Sequence, residues 1–215
     1  MILDPVVEYN KITKWSDKLV NQLITPAQLV KSMHKFLNQS HPSKTSLEQS
    51  ESLDRRDFAI GAAYDANFDE ENKKALIFIV VINRPADKEW RMKPHRIAQL
   101  NIDLLEAVVH EYQHMHQYRS RSHITNRPYQ SLSKTTEEPL HAYLGNPDEI
   151  DAYAANIAAR LYINKSVIHP DNSADLESYY SAFGANHPVT RLLLKKIVLH
   201  INYLENNNND NANRK

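Results

Sequence analysis

Cysteine is absent from this 215-residue chain, glycine occurs only 3 times, and neither sign of charge is in excess, with 26 Lys+Arg against 26 Asp+Glu. Each shortage excludes something. Without Cys there can be no disulfide, no thiolate nucleophile, no Fe–S cluster and no Cys-built zinc site, so a metal would have to be held by His, Asp or Glu. Zero net charge argues against a chain whose main task is to coat nucleic acid or an anionic membrane. No stretch approaches the roughly 18 apolar residues of a membrane span. The longest apolar run, Ala75 to Ile82, has the length of a strand. The opening residues, MILDPVVEYNK, lack a basic stretch followed by an apolar run, which removes a standard signal peptide. The expectation is a soluble cytoplasmic protein, with incorporation into a virion or other particle left open. What the chain does have is a 41% hydrophobic fraction, sufficient for a core, and 11 His.

Periodicity organises the rest. The first forty residues read as helical: Leu19, Val20 and Leu23 follow Trp15 at helical intervals. Thr25-Pro26-Ala27-Gln28 then offers an N-cap with Pro at N1 before Leu29, Met33, Phe36 and Leu37. The polar segment from Asn38 to Arg56 reads as a loop or poorly ordered connector. Two strands are predicted, Asp57 to Tyr64 and Lys74 to Asn83, joined by an acidic turn region from Asp65 to Asn72. The stretch between Pro85 and Pro94, with Trp90 and Met92, has no clear assignment. A strong helix follows from about Asn101 to Tyr118, with Leu104, Leu105, Val108, Val109, Tyr112 and Met115 on its apolar face. After a polar loop from Arg119 to Glu138, Asn146-Pro147-Asp148-Glu149 announces another helix through Leu161. Ser173 to Phe183 and Pro188 to Leu204 are predicted as two more. The fold class is α+β, mostly helical with a small β-sheet. The domain reading is an N-terminal helical segment at 1–45, a main domain at 57–204 and a frayed or disordered Asn-rich tail at 205–215.

The chemistry sits in the strongest helix. His110-Glu111-Tyr112-Gln113-His114 is an H-E-x-x-H sequence. Its i, i+4 spacing puts two imidazoles on one side of the helix, one turn apart, where they can share a zinc ion, with Glu111 beside them to take a proton from water. A third ligand is needed, and Glu149, Asp151, Asp148, His116, His123, His141 and His187 are the candidates. His116 is rotated about 200° from His114 and about 240° from His110, so it should point elsewhere. Glu149 also has a reading without metal: with Asn146 as N-cap it stands at N3, the position of a capping box.

These residues resemble a zincin, specifically the Glu-zincin branch, in which an H-E-x-x-H helix is followed by a second helix with a Glu in an E-x-[DE]-A context, here Glu149-Ile150-Asp151-Ala152. The extension through Gln117 is also similar to small metallopeptidase-like proteins of phage and bacterial genomes. The resemblance covers roughly Ala75 to Arg160. It implies a zincin-like domain whose sheet packs against the motif helix, Zn²⁺ as cofactor, His110, His114 and Glu149 as ligands and Glu111 as general base. It further implies that Asp151 orients one of the His and that Ala152 lets the two helices approach closely. Gln117 and Ser120 stand where a metzincin would carry Gly and its third His, so that branch is not supported.

The implied activity is zinc-dependent peptide-bond hydrolysis, with a peptide or protein as substrate. Candidates for stabilising the oxyanion are Tyr143, Tyr179, Tyr180, His187 and Arg191, each of which also reads as ordinary packing or surface polarity. In zincins an edge strand pairs with an extended substrate; Ala75 to Ile82 is open to that role, although its two apolar faces favour a central strand. Lys93, Arg96, Arg119, Arg121 and Arg127 flank the motif helix only modestly, so neither a nucleic-acid nor a membrane partner is expected. The alternative is a catalytically silent zincin-fold structural or interaction protein of phage type.

Overall fold

The computed structural model describes residues 3–41, 43–49, 57–70, 75–121 and 139–212. They belong to two compact units, residues 7–111 and residues 1–6 with 112–215.

In the first unit α1 (Pro5–Ser16) ends where the Ser16 hydroxyl donates back to the Thr13 carbonyl. The helical spacing from Trp15 to Leu23 is therefore interrupted. A 3-10 turn follows, Asn21 takes a left-handed φ of 61°, and Leu23–Ile24 becomes the short strand β1. Asn tolerates that conformation better than most residues, which is why the turn can sit there without glycine. Next comes α2 (Pro26–Ser40), with Thr25 as N-cap and Pro26 at N1 as expected, and with Gln28 completing a reciprocal capping box. Its apolar stripe of Leu29, Met33, Phe36 and Leu37 is buried, and Trp15 stacks on Phe36 at 4.9 Å.

The segment read as a connector contains β2 (Ser43–Gln49). Of its inward positions, Ser43 and Thr45 are small and polar and Leu47 alone is apolar, so no apolar alternation marks this edge strand. The two strands predicted after it are present as β3 (Phe58–Tyr64) and β4 (Leu76–Ile82), with α3 (Ala66–Glu70) in the acidic span between them. The sheet order is β2-β4-β3, with β2 parallel and β3 antiparallel to β4. Thus β4 is central, and the peptide-pairing edge role open to it in the sequence is excluded. Its Leu76, Phe78, Val80 and Ile82 are buried on one face. Trp90–Arg91 forms β5, paired antiparallel with β1. Arg84 and Arg96 both bond Asp57, and the Arg84 guanidinium lies 4.4 Å from the Trp90 ring centroid.

The small sheets pack against the motif helix, α4 (Pro94–Ser120). Ile97, Leu100, Leu104, Leu105 and Val108 fill its buried stripe, and the same spacing brings Glu111 to a buried position. The domain is mostly helical, and no helix among the described residues is long and apolar enough to cross a membrane.

A buried polar pair in this unit predicts an acid response. His41 Nε2 lies 2.8 Å from Glu8 Oε1, and Lys11 Nζ is 3.1 Å from Oε2. Burial alone would raise the Glu8 pKa, but the hydrogen bonds and charges of His41 and Lys11 outweigh it and hold the carboxyl below its ordinary 4.5. A depressed folded-state pKa contributes stability above the ordinary value, and that contribution is lost as pH falls through the folded value. Glu8→Gln should therefore cost about 2 kcal/mol at neutral pH, the scale of a hydrogen bond to a charged group. The gap to the parent should close in urea titrations at progressively more acidic pH; a gap independent of pH would refute the assignment.

The second unit carries α5 (Pro139–Leu144), α6 (Pro147–Asn164), α7 (Ala174–Phe183) and α8 (Pro188–Ala212). Small residues on α6, among them Ala154 and Ala158, pack with Ile157 and Leu161 against Val189, Leu193 and Ile197 of α8 and Leu176 and Tyr179 of α7. The αL residue Lys165, at φ 52°, closes α6, and Gly184 at φ 78° closes α7. The Asn-rich segment expected to be frayed or disordered is helical as far as Ala212. It contains no Pro or Gly to stop α8, and Asn is only modestly unfavourable in a helix.

Candidate metal centre

Helix α4 supplies two imidazoles and α6 a carboxylate. One donor atom each from His110, His114 and Glu149 lies within 4.8 Å of the others. The His114 Nε2 to Glu149 Oε1 distance is 3.4 Å. Bonds of about 2.0–2.1 Å at tetrahedral angles would put ligand atoms about 3.3 Å apart, so this pair is already spaced as an edge of a zinc tetrahedron. The donor set, two imidazoles and one carboxylate, suits Zn²⁺, and these residues fit the ion that the sequence implies. Glu111, next to His110 on the same helix, is 5% exposed.

The start of α6 explains how Glu149 comes to face the imidazoles. Asn146 Oδ1 accepts from the Asp148 amide at 2.9 Å, and the Asn146 amide donates to the Tyr143 carbonyl at 3.0 Å. The cap bond therefore goes to N2, and the Asn146 amide that an N3 carboxylate would bind in a capping box is already engaged. Glu149 is available to His114 instead.

Behind the imidazoles lies a polar network. His114 Nδ1 is 3.1 Å from Gln117 Oε1, while Gln117 Nε2 is 3.1 Å from the Asp148 carbonyl and 3.4 Å from Asp151 Oδ2. Asp151 also accepts from Gln113 at 2.5 Å and from Lys196 of α8 at 2.8 Å, with His200 Nε2 at 3.6 Å. Burial would raise the Asp151 pKa, but His200, Lys196 and Gln113 together hold it well below the usual carboxylate range. Asp151 thus reaches His114 through Gln117, where the sequence reading had it orienting a His. Arg121 binds Asp148 at the mouth of the same helix start.

Of the five residues weighed as oxyanion stabilisers, Tyr143 is the one hydrogen-bonded to Glu149, and also to Tyr153. Although Tyr143 is 46% exposed, desolvation first, then the neighbouring Tyr153 and Glu149, push its pKa up, so its phenol is a proton-bearing donor. Tyr179 is fully buried, its ring edge-on to Tyr153 at 5.6 Å, and burial likewise raises its pKa. Tyr180 packs beside the α6–α8 core. His187 stacks on Phe183 at 4.9 Å and accepts the Val189 amide, a cap for α8. Arg191 is exposed and reaches Asn186. The His141 ring lies 4.9 Å from the Phe183 ring, tilted by 34°, and His123 lies outside the described residues.

Sequence reasoning did not find Gln113, Tyr153, Lys196 or His200, and treated Gln117 only as a motif extension. A signal for two of them was present: positions 110, 113, 114 and 117 fall on one helix face. Compared with known proteins, the chain matches no family model, no curated protein and no solved structure.

Proposed function

We propose that this protein hydrolyses peptide bonds with the help of zinc. The observation that carries the reading is the convergence of His110, His114 and Glu149 donor atoms within 4.8 Å, one residue from the buried carboxylate of Glu111. His110, His114 and Glu149 would hold the ion. Zinc supplies positive charge that polarises a carbonyl and makes water nucleophilic at neutral pH. Glu111 takes the proton of the attacking water and passes it to the leaving amine. Tyr143, whose phenol keeps its proton beside Glu149, is the favoured donor to the oxygen that becomes negative as the carbonyl is attacked. Asp151, acting through Gln117, keeps the His114 ring in place.

The expected substrate is a peptide or protein. Purified, dialysed protein should retain one zinc per chain and cleave a denatured protein substrate. Removing the metal with a chelator should abolish cleavage, and adding zinc back should restore it. A chain that retains no metal, or that cleaves equally well after chelation, would overturn the reading.

A further inference from the structure

The Gln117 side chain is 5% exposed and has an acceptor-only group at its nitrogen end, the Asp148 carbonyl at 3.1 Å. The other group at that end, Asp151 Oδ2 at 3.4 Å, belongs to a carboxylate that accepts from Lys196 and Gln113. Neither offers a proton. The amide can satisfy them only with its NH₂, which fixes its orientation and turns Oε1, an acceptor, toward His114 Nδ1 at 3.1 Å. The proton of that hydrogen bond must then come from the imidazole.

We propose that Gln117 is a positioning residue that holds His114 as its Nδ1–H tautomer, leaving the Nε2 lone pair directed at the metal position beside Glu149, and that Asp151, gripped by Lys196 and His200 of α8, anchors this setting. The consequence for zinc affinity rests on the metal-centre reading; the tautomer rests on the Gln117 amide, which holds it against the pull of Glu149 Oε1, 3.4 Å from Nε2. The choice of an amide matters. A carboxylate at 117 would accept from Nδ1 equally well, but its second oxygen would face the Asp148 carbonyl and Asp151 with no proton between them. Gln is the side chain of this length that offers an acceptor to one side and donors to the other.

Two-bond ¹⁵N–¹H correlation spectra of the metal-free protein at alkaline pH, where His114 is neutral, report the tautomer directly. The parent should show the Nδ1–H form at His114. Gln117→Met keeps length and helix propensity but removes both hydrogen bonds, and should give a tautomer mixture with zinc affinity lower by about tenfold or more, the scale of losing such an outer partner. Gln117→Glu should keep the Nδ1–H signature while lowering thermal stability. An Nε2–H form in the parent, or a Gln117→Met protein with unchanged tautomer and affinity, would overturn the proposal. If the parent shows the Nδ1–H form, lost in Gln117→Met, but binds no zinc, the metal reading fails and the positioning role stands.

Discussion

A Glu111→Gln protein should keep one zinc per chain and lose peptide hydrolysis by about 10²- to 10⁴-fold, the range for removing a positioned general base. The substitution is nearly isosteric and the site is 5% exposed, so packing around position 111 should survive. Only the ability to accept a proton is removed. Steady-state cleavage and metal content, measured on the same preparation, separate the two effects. Unchanged cleavage would remove Glu111 from the chemistry. Full biological function of the Glu111→Gln protein would instead favour a metal-binding module that does not act as an enzyme.

Loss of any one of the three ligands should have the next largest effect. With zinc at a thousand times its Kd, binding to the folded state alone adds about 4 kcal/mol to stability. The thermal midpoint of the parent should therefore climb with added zinc, whereas His110→Ala, His114→Ala and Glu149→Ala should give midpoints that do not respond. Glu149 is the discriminating position. If its carboxylate served only the start of α6, its replacement would cost about 1 kcal/mol and leave the zinc response intact. His116→Ala provides the control: it lies on another side of α4, and its response should match the parent. A zinc-dependent midpoint in all three ligand variants would show that the ion binds elsewhere.

Much of this was legible in the residue pattern because the signals were local. The Thr25 cap, the hydrophobic run that became β4 and the H-E-x-x-H spacing depend on residues within a turn or two of each other. Glu149 could be reached through the resemblance, which places a Glu at the start of a second helix, a position that also describes a cap. Only the occupied Asn146 amide and the 3.4 Å approach to His114 separate the two roles. What stayed illegible depends on distant partners. Ser43 to Gln49 has no apolar alternation of its own and becomes a strand by pairing with β4, more than thirty positions later in the chain. Lys196 and His200 look like ordinary polar residues on an amphipathic helix until α8 lies against α6. Likewise Tyr143 and Tyr179 are chemically identical in the sequence. Glu149 and Tyr153 act on both; the hydrogen bonds that Tyr143 makes to them, and the full burial of Tyr179, distinguish the two.

The alanine face of α6 has a further meaning. Ala154 and Ala158 have no exposed surface, so the width of their methyl groups fixes how near α8 can come, and helices in contact through such small residues lie at the short end of the usual 8–10 Å range. The 2.8 Å contact from Lys196 to Asp151 spans that gap, and hydrogen bonds fade within a few tenths of an ångström of their optimum length. The methyl row is therefore a gauge block for the side of the molecule that carries the His114 network. Its thickness is one of the dimensions to which the polar network around His114 is machined, and bulk added there would be felt at the imidazole without touching it.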